Sequence, residues 1–85
     1  MPTISMFFGI LIRMYVDDHN PPHFHALYQG FSGIFDFDGN QIEGNIPSKQ
    51  RHLIKAWALI HREDLEANWL LATNNETLFK INPLQ

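Results

Sequence analysis

The chain has 85 residues, of which 45% are hydrophobic, 13% aromatic and 18% charged, and its formal net charge is -3. This composition is typical of one globular domain spanning residues 1–85, and the acidic balance disfavours a protein that coats nucleic acid non-specifically. The absence of cysteine excludes disulfides, thiolate metal sites and cysteine nucleophiles.

The N-terminal region has no features of a targeting segment. Residues 1–5 lack the basic stretch of a signal peptide, and Arg13 interrupts the first apolar run. No apolar run reaches the roughly 18 residues that a membrane-spanning helix requires. We therefore expect a cytoplasmic protein that does not enter a membrane.

The first half of the chain predicts four strands, because it alternates β-branched and aromatic residues with turn residues. Tight turns are expected at Gly9 and at Gln29-Gly30, where glycine adopts positive φ without strain. Residues 41–44 either extend the fourth strand or return along it. The four predicted strands are residues 3–8, 10–17, 23–29 and 31–38.

A proline-containing segment, residues 17–25, separates the second and third strands. Pro21 and Pro22 exclude a helix, because each fixes φ and lacks an amide donor. In the strand that follows, alternation places His23 and His25 on one side and Phe24 on the other.

The Gln29-Gly30 turn also predicts the register of the third and fourth strands. One face is aromatic and small, and we expect it to form the core. The other face carries the histidines and is expected to point outward or to line a cleft. The predicted pairs are Tyr28 with Phe31, Ala26 with Gly33, Phe24 with Phe35, His25 with Ile34, and His23 with Asp36.

The second half of the chain predicts helices. Ser48 is a suitable N-cap, and Leu53, Trp57 and Ile60 recur at helical spacing to form an apolar stripe. Residues 62–64 mark either a polar turn of one long helix or a break before a second helix that ends near residue 74. Residues 78–81 predict a last short strand.

These elements predict an α+β fold. An antiparallel sheet of about four strands should carry one or two C-terminal helices packed on its aromatic face. Open sheets have unpaired edge strands, so a homodimer formed through an edge is one expected assembly.

The strongest cluster of chemically active residues comprises His23, His25, Arg13 and Asp36. Two imidazoles on one face can take and give a proton, Asp36 would set the tautomer of His23, and Arg13 would hold a phosphate group. A metal-independent ribonuclease needs such a set, so these four are candidate catalytic residues. No serine lies in a nucleophile motif, so covalent catalysis has no support.

A metal site is the alternative interpretation of the same segment. His19, His23 and His25 have a spacing that lets two ligands on a strand and one on the preceding loop converge on one ion. Imidazole ligands suit Zn or another divalent transition metal, with Asp36 as a supporting carboxylate. Under the acid–base interpretation no cofactor is expected.

A purely structural interpretation also accounts for the segment. Pro21 and Pro22 would fix a corner, His19 and His23 would satisfy loop carbonyls, and His25 would be a half-exposed strand residue. The three interpretations require different positions for the imidazole rings of His19, His23 and His25.

Several motifs resemble a family of short bacterial proteins, domain-of-unknown-function family 4160. The resemblance covers essentially the whole chain, and its most specific part is the His-Asn-Pro-Pro-His-Phe-His run of residues 19–25. The other matching stretches are residues 1–15, His61-Arg62-Glu63-Asp64-Leu65, Asn68-Trp69 and the ending at residues 81–84.

This resemblance implies a small cytoplasmic bacterial protein of toxin–antitoxin type. Family members are often encoded beside a protein of domain-of-unknown-function family 2442, which implies a cognate small protein as partner. The resemblance does not supply a reaction. Together with the cluster of His, Asp and Arg, it leads to the hypothesis of a toxin–antitoxin-type module that acts with this partner and that, if it is the toxin, cleaves RNA. The alternatives are a non-enzymatic protein-interaction module and a histidine-ligated metal-binding protein.

Overall fold

A computed structural model describes residues 3–16 and 20–84 of the chain. It contains five strands followed by two helices. The strands are β1 (Thr3–Phe7), β2 (Ile10–Arg13), β3 (Phe24–Tyr28), β4 (Phe31–Phe35) and β5 (Gln41–Gly44), and the helices are α1 (Ser48–Ile60) and α2 (Arg62–Thr73).

The strands form one antiparallel sheet in chain order, β1-β2-β3-β4-β5. The β1–β2 turn places Phe8 and Gly9 at φ 50° and 77°, and the β3–β4 turn places Gln29 and Gly30 at 44° and 85°. Positive φ at both central residues is the hairpin geometry that matches the twist of the flanking strands. The predicted α+β fold is confirmed, with a fifth strand because residues 41–44 return along β4.

The predicted register of β3 and β4 is confirmed over the length of both strands. Phe24 pairs with Phe35, Ala26 with Gly33, and His25 with Ile34. The fourth strand is shorter than predicted, because Asp36 begins a turn in which its amide donates to the Asn40 carbonyl at 3.0 Å. The second strand also ends early, at Arg13.

The aromatic face of the sheet forms the core together with the helices, as predicted. The rings of Phe24 and Phe35 stack at 5.6 Å between centroids, and Trp57 of α1 meets Phe24 edge-on, also at 5.6 Å. All three side chains are fully buried. Burying an aromatic side chain of this kind contributes about 2–3 kcal/mol, so this cluster anchors α1 to the sheet.

The first helix corrects two sequence-based predictions. Its N-cap is Pro47, whose carbonyl accepts the first helical hydrogen bond from Arg51 at 2.9 Å, so Ser48 is already inside the helix. Ile60, predicted on the buried stripe, is 66% exposed. The chain bends at His61, which ends α1 and begins α2, so Ile60 lies beyond the end of the packed stripe.

Two side chains from the helices hold the C-terminal segment in place. Asn68 of α2 donates to the Phe79 carbonyl at 2.9 Å and accepts from the Phe79 amide at 3.0 Å. The indole of Trp57 donates to the Asn82 carbonyl at 2.9 Å. Residues 78–81 are therefore not a strand, because side chains take the hydrogen bonds that a ladder would need. Among the described residues, one backbone hydrogen bond links the segment to β1, and it runs from the Ile81 amide to the Ile4 carbonyl.

Neither helix of the described part of the chain is long and apolar enough to cross a membrane.

Replacing Asn68 should make the protein easier to unfold. Asn68 is fully buried, and Asn68→Ala leaves the amide and carbonyl of Phe79 without their partners. We expect a loss of about 2–4 kcal/mol in the free energy of unfolding, measured by urea titration. Thr73→Ala is the matched control, because the Thr73 hydroxyl also donates to a carbonyl, but at an exposed site. Equal midpoints for the two variants would contradict this account.

Candidate functional site

The face of the sheet opposite the helices carries a row of residues that runs across four strands. Arg13 of β2 lies opposite His25 of β3, His25 lies opposite Ile34 of β4, and Ile34 lies opposite Glu43 of β5. Residues paired across strands share a face, so these four side chains project on the same side. The row therefore brings a guanidinium, an imidazole and a carboxylate onto one surface.

A groove of about 300 Å³ lies over the part of this row formed by His25, Ile34 and Glu43. Tyr15, His25, Ser32, Ile34 and Glu43 are among its lining residues. The groove thus combines an apolar floor with hydroxyl, imidazole and carboxylate groups, the mixture that is typical of small-molecule and substrate sites.

Tyr15 holds the ring of His25 from one side. The two ring centroids are 4.4 Å apart and the planes meet at 71°. This edge-to-face contact is a favoured geometry for aromatic rings. Tyr15 therefore restricts the orientation of His25 within the groove.

Arg13 contains a buried donor that the described residues leave without an acceptor. Its Nε atom is inaccessible to solvent and makes no hydrogen bond within residues 3–16 and 20–84. A buried unsatisfied donor costs about 1–3 kcal/mol and is unusual in folded proteins.

His23 lies next to His25 but is buried. Their ring centroids are 5.2 Å apart, as the predicted alternation requires. However, His23 is only 6% exposed, because the Trp69 indole of α2 lies 5.5 Å from its ring. The sequence suggested two imidazoles on one open or cleft-lining face, whereas the structure leaves only His25 half-exposed in the groove.

The proline corner contains a cis Asn20-Pro21 peptide bond. A backbone carbonyl in this corner sets the tautomer of His23. The His23 Nδ1 atom lies 2.7 Å from the Pro21 carbonyl, which can only accept a hydrogen bond, so Nδ1 carries the proton. This hydrogen bond fixes the orientation of the His23 ring.

Asp36, the predicted partner of His23, takes part in a turn of the backbone. Its Oδ1 atom accepts the amides of Asp38 at 3.0 Å and Asn40 at 2.9 Å, which closes the turn between β4 and β5. Short acidic side chains commonly bond to nearby amides in turns. The carboxylate is therefore a turn-forming group.

The metal hypothesis stays a prediction. His19 lies outside the described residues, so the proposed set of His19, His23 and His25 cannot be assembled from them. Within the described residues, no group of three or more histidine or acidic side chains is placed to hold a metal ion. The described geometry of His23 and His25 is equally consistent with a site that needs no metal.

Glu43 is the residue that sequence reasoning missed. It follows a turn rich in Asp and Asn that superficially resembles part of a calcium-binding loop, although the spacing of such a loop is not met. Its position in the row depends on β5 pairing with β4 through an irregular register near Phe35. The sequence feature that could have identified Glu43 is the predicted alternative in which residues 41–44 return along the fourth strand. In the structure this return places Glu43 opposite Ile34.

A model of a known protein family matches residues 9–70 of the chain, and its description is Domain of unknown function (DUF4160). The chain belongs to the DUF4160 family. The match includes Arg13, the proline corner, His23 and His25, Glu43 and most of the two helices. Comparison with curated proteins gave no match, and comparison with solved structures gave none either.

The two imidazoles should differ in their effect on stability. His23→Ala removes the bond to the Pro21 carbonyl and a buried contact with Trp69, so we expect a loss of about 2–3 kcal/mol in the free energy of unfolding. His25→Ala removes a partly buried ring that contacts Tyr15 and His23, and it should cost less than His23→Ala because the His25 ring is the more exposed of the two. Chemical denaturation of both variants measures the difference, and a larger loss for His25→Ala would contradict the assignment.

Proposed function

We propose that this protein is a toxin–antitoxin-type module that cleaves RNA without a metal ion on the uncovered face of its sheet. It acts with a cognate small partner protein. The observation that carries the proposal is the row that places Arg13, His25 and Glu43 on one face.

The spacing of the row suits a phosphodiester group. Adjacent strands lie about 4.8 Å apart, so the backbones at His25 and Glu43 are roughly 10 Å apart with Ile34 between them. An imidazole and a carboxylate reaching inward from these positions leave room for one phosphate. Arg13 lies one strand beyond His25 and can contact the phosphate from that side.

The proposed reaction needs only proton transfer and charge stabilisation. Glu43 takes the proton of the ribose 2′-hydroxyl, and the 2′-oxygen then forms a bond to phosphorus. The bond from phosphorus to the 5′-oxygen breaks, and protonated His25 donates its proton to that departing oxygen. Arg13 stabilises the additional negative charge on the phosphate oxygens. The products are a 2′,3′-cyclic phosphate and a free 5′-hydroxyl.

His23 and Tyr15 have a positioning role in this proposal. Tyr15 lies against His25 at 4.4 Å and His23 lies at 5.2 Å from it, so the His25 ring is held between two others. His23 is in turn fixed by the Pro21 carbonyl. Supporting contacts of this kind keep a reacting group in its productive orientation.

The proposal predicts that cleavage depends on the row. We expect His25→Ala and Glu43→Gln each to reduce cleavage of a labelled single-stranded RNA by about 100-fold or more, because each removes a proton-transfer group. Mass spectrometry should find a 2′,3′-cyclic phosphate on the product of the unmodified protein. Expression of the chain without its partner should arrest bacterial growth, and His25→Ala should relieve the arrest.

Matched controls test whether the position matters. His52→Ala and Glu63→Gln change the same residue types at exposed positions on the helices, away from the groove. Both should leave cleavage unchanged. Normal growth together with intact RNA after incubation with the purified protein would rule out the nuclease proposal.

A non-enzymatic interaction module is the second candidate function. The burial of His23 and its bond to the Pro21 carbonyl favour it, because a ring held in this way serves the structure of the corner. Under this candidate, the partner still binds although the protein cleaves no RNA. The RNA assay therefore separates the two candidates.

A further inference from the structure

A second cavity lies on the other side of the proline corner, between that corner, the β4–β5 turn and α2. Its volume is about 380 Å³, near the lower end of the roughly 300–1,000 Å³ range of ligand sites. Its walls are apolar and partly aromatic. They are formed by Pro22, Phe37, Trp69 and Leu70.

One wall residue has no role in the core. Leu70 is 64% exposed, although Trp69 beside it is almost fully buried. An exposed leucine at the margin of an aromatic cavity offers apolar surface to a second molecule. Filling the cavity would cover Leu70 and extend the buried contacts of Trp69 and Phe37.

The rim of the cavity is acidic. Asp36, Asp38 and Glu66 contribute three carboxylates, and Arg62 contributes the single positive charge among the lining residues described. Arg62 is already paired, because it donates to Asp38 and, at 3.2 Å, to Glu66. These hydrogen bonds raise the pKa of the Arg62 guanidinium above its ordinary value. The rim therefore carries an excess of negative charge that its own arginine does not balance.

We propose that this cavity is a docking site for a protein partner that inserts an apolar side chain flanked by lysine or arginine. The apolar walls accept the side chain, and the carboxylates of the rim attract the flanking cations. An acidic or neutral segment lacks the second of these interactions. The docking claim stands on the cavity alone, whereas naming the occupant as the cognate partner rests on the proposed function.

The cavity also shares residues with the support of the histidines. Trp69 forms its wall and contacts the His23 ring at 5.5 Å, and His23 contacts His25. Pro22 forms another wall and follows Pro21, whose carbonyl bonds to His23. A partner bound in this cavity would contact Trp69 and Pro22, which lie next to His23. His23 in turn contacts His25 in the groove on the sheet.

Three short amidated peptides test the docking site by NMR titration. The first has a phenylalanine between pairs of lysines, the second replaces the lysines with glutamates, and the third replaces the phenylalanine with serine. We expect only the first to produce saturable shifts at the Trp69 indole and the Phe37 and Leu70 amides. An affinity in the millimolar to high micromolar range is expected for so short a ligand.

Two pairs of variants locate the binding. Leu70→Ser should weaken binding of the first peptide by about tenfold, whereas Leu59→Ser, at a similarly exposed leucine of α1 outside the cavity, should not. Glu66→Lys should abolish binding by reversing a rim charge, whereas Glu63→Lys, also on α2 but outside the cavity, should not.

Three outcomes would overturn the proposal. One is the absence of saturable shifts with the first peptide, and another is equal binding of the second or third peptide. The third is equal weakening by both members of a variant pair. Cleavage of RNA by Leu70→Ser is measured in parallel, so loss of docking and loss of nuclease activity are observed separately.

Discussion

The packing of both helices on one face of the sheet is the constraint on which the rest of the structure depends. Trp57 of α1 lies edge-on against Phe24, and Phe24 stacks on Phe35, so the aromatic face of the sheet is buried in the core. Because side chains alternate between the two faces along a strand, the residues next to Phe24 and Phe35 in the sequence project from the opposite face. His25 and Ile34 reach the uncovered face for this reason, and the groove forms there with an imidazole and an apolar floor.

The proline corner connects the two sides of the molecule. His23 follows the corner, donates to the Pro21 carbonyl, and lies between Trp69 of the helix layer and His25 of the sheet face. A buried imidazole in this position is satisfied by the backbone and is packed on two sides. The corner therefore has a structural task of its own, and the histidine that it leaves half-exposed in the groove is His25.

Two surfaces follow from this arrangement, and they differ in chemistry. The groove on the sheet combines the imidazole of His25 with the carboxylate of Glu43, and Arg13 lies opposite His25 on the neighbouring strand. The cavity beside α2 has aromatic walls and an acidic rim, which suit an apolar group with basic neighbours. Trp69 lines the cavity and contacts His23, and His23 contacts His25 in the groove.

The sequence by itself determined the family, the α+β class and the register of β3 on β4. The register follows from the sequence because, with a two-residue turn and side chains that alternate between faces, one pairing of the strands keeps the aromatic residues together. It also grouped His25 and Arg13 in one candidate site, and the pairing of β2 with β3 places them opposite each other. Only the tertiary structure decided which imidazole is accessible, since burial of His23 depends on Trp69, which lies far along the chain in α2. Likewise, Glu43 joins the row through the return of β5, and Asp36 closes the turn that precedes β5. Local patterns fix alternation and turns, whereas long-range packing decides which side chains remain exposed to act on another molecule.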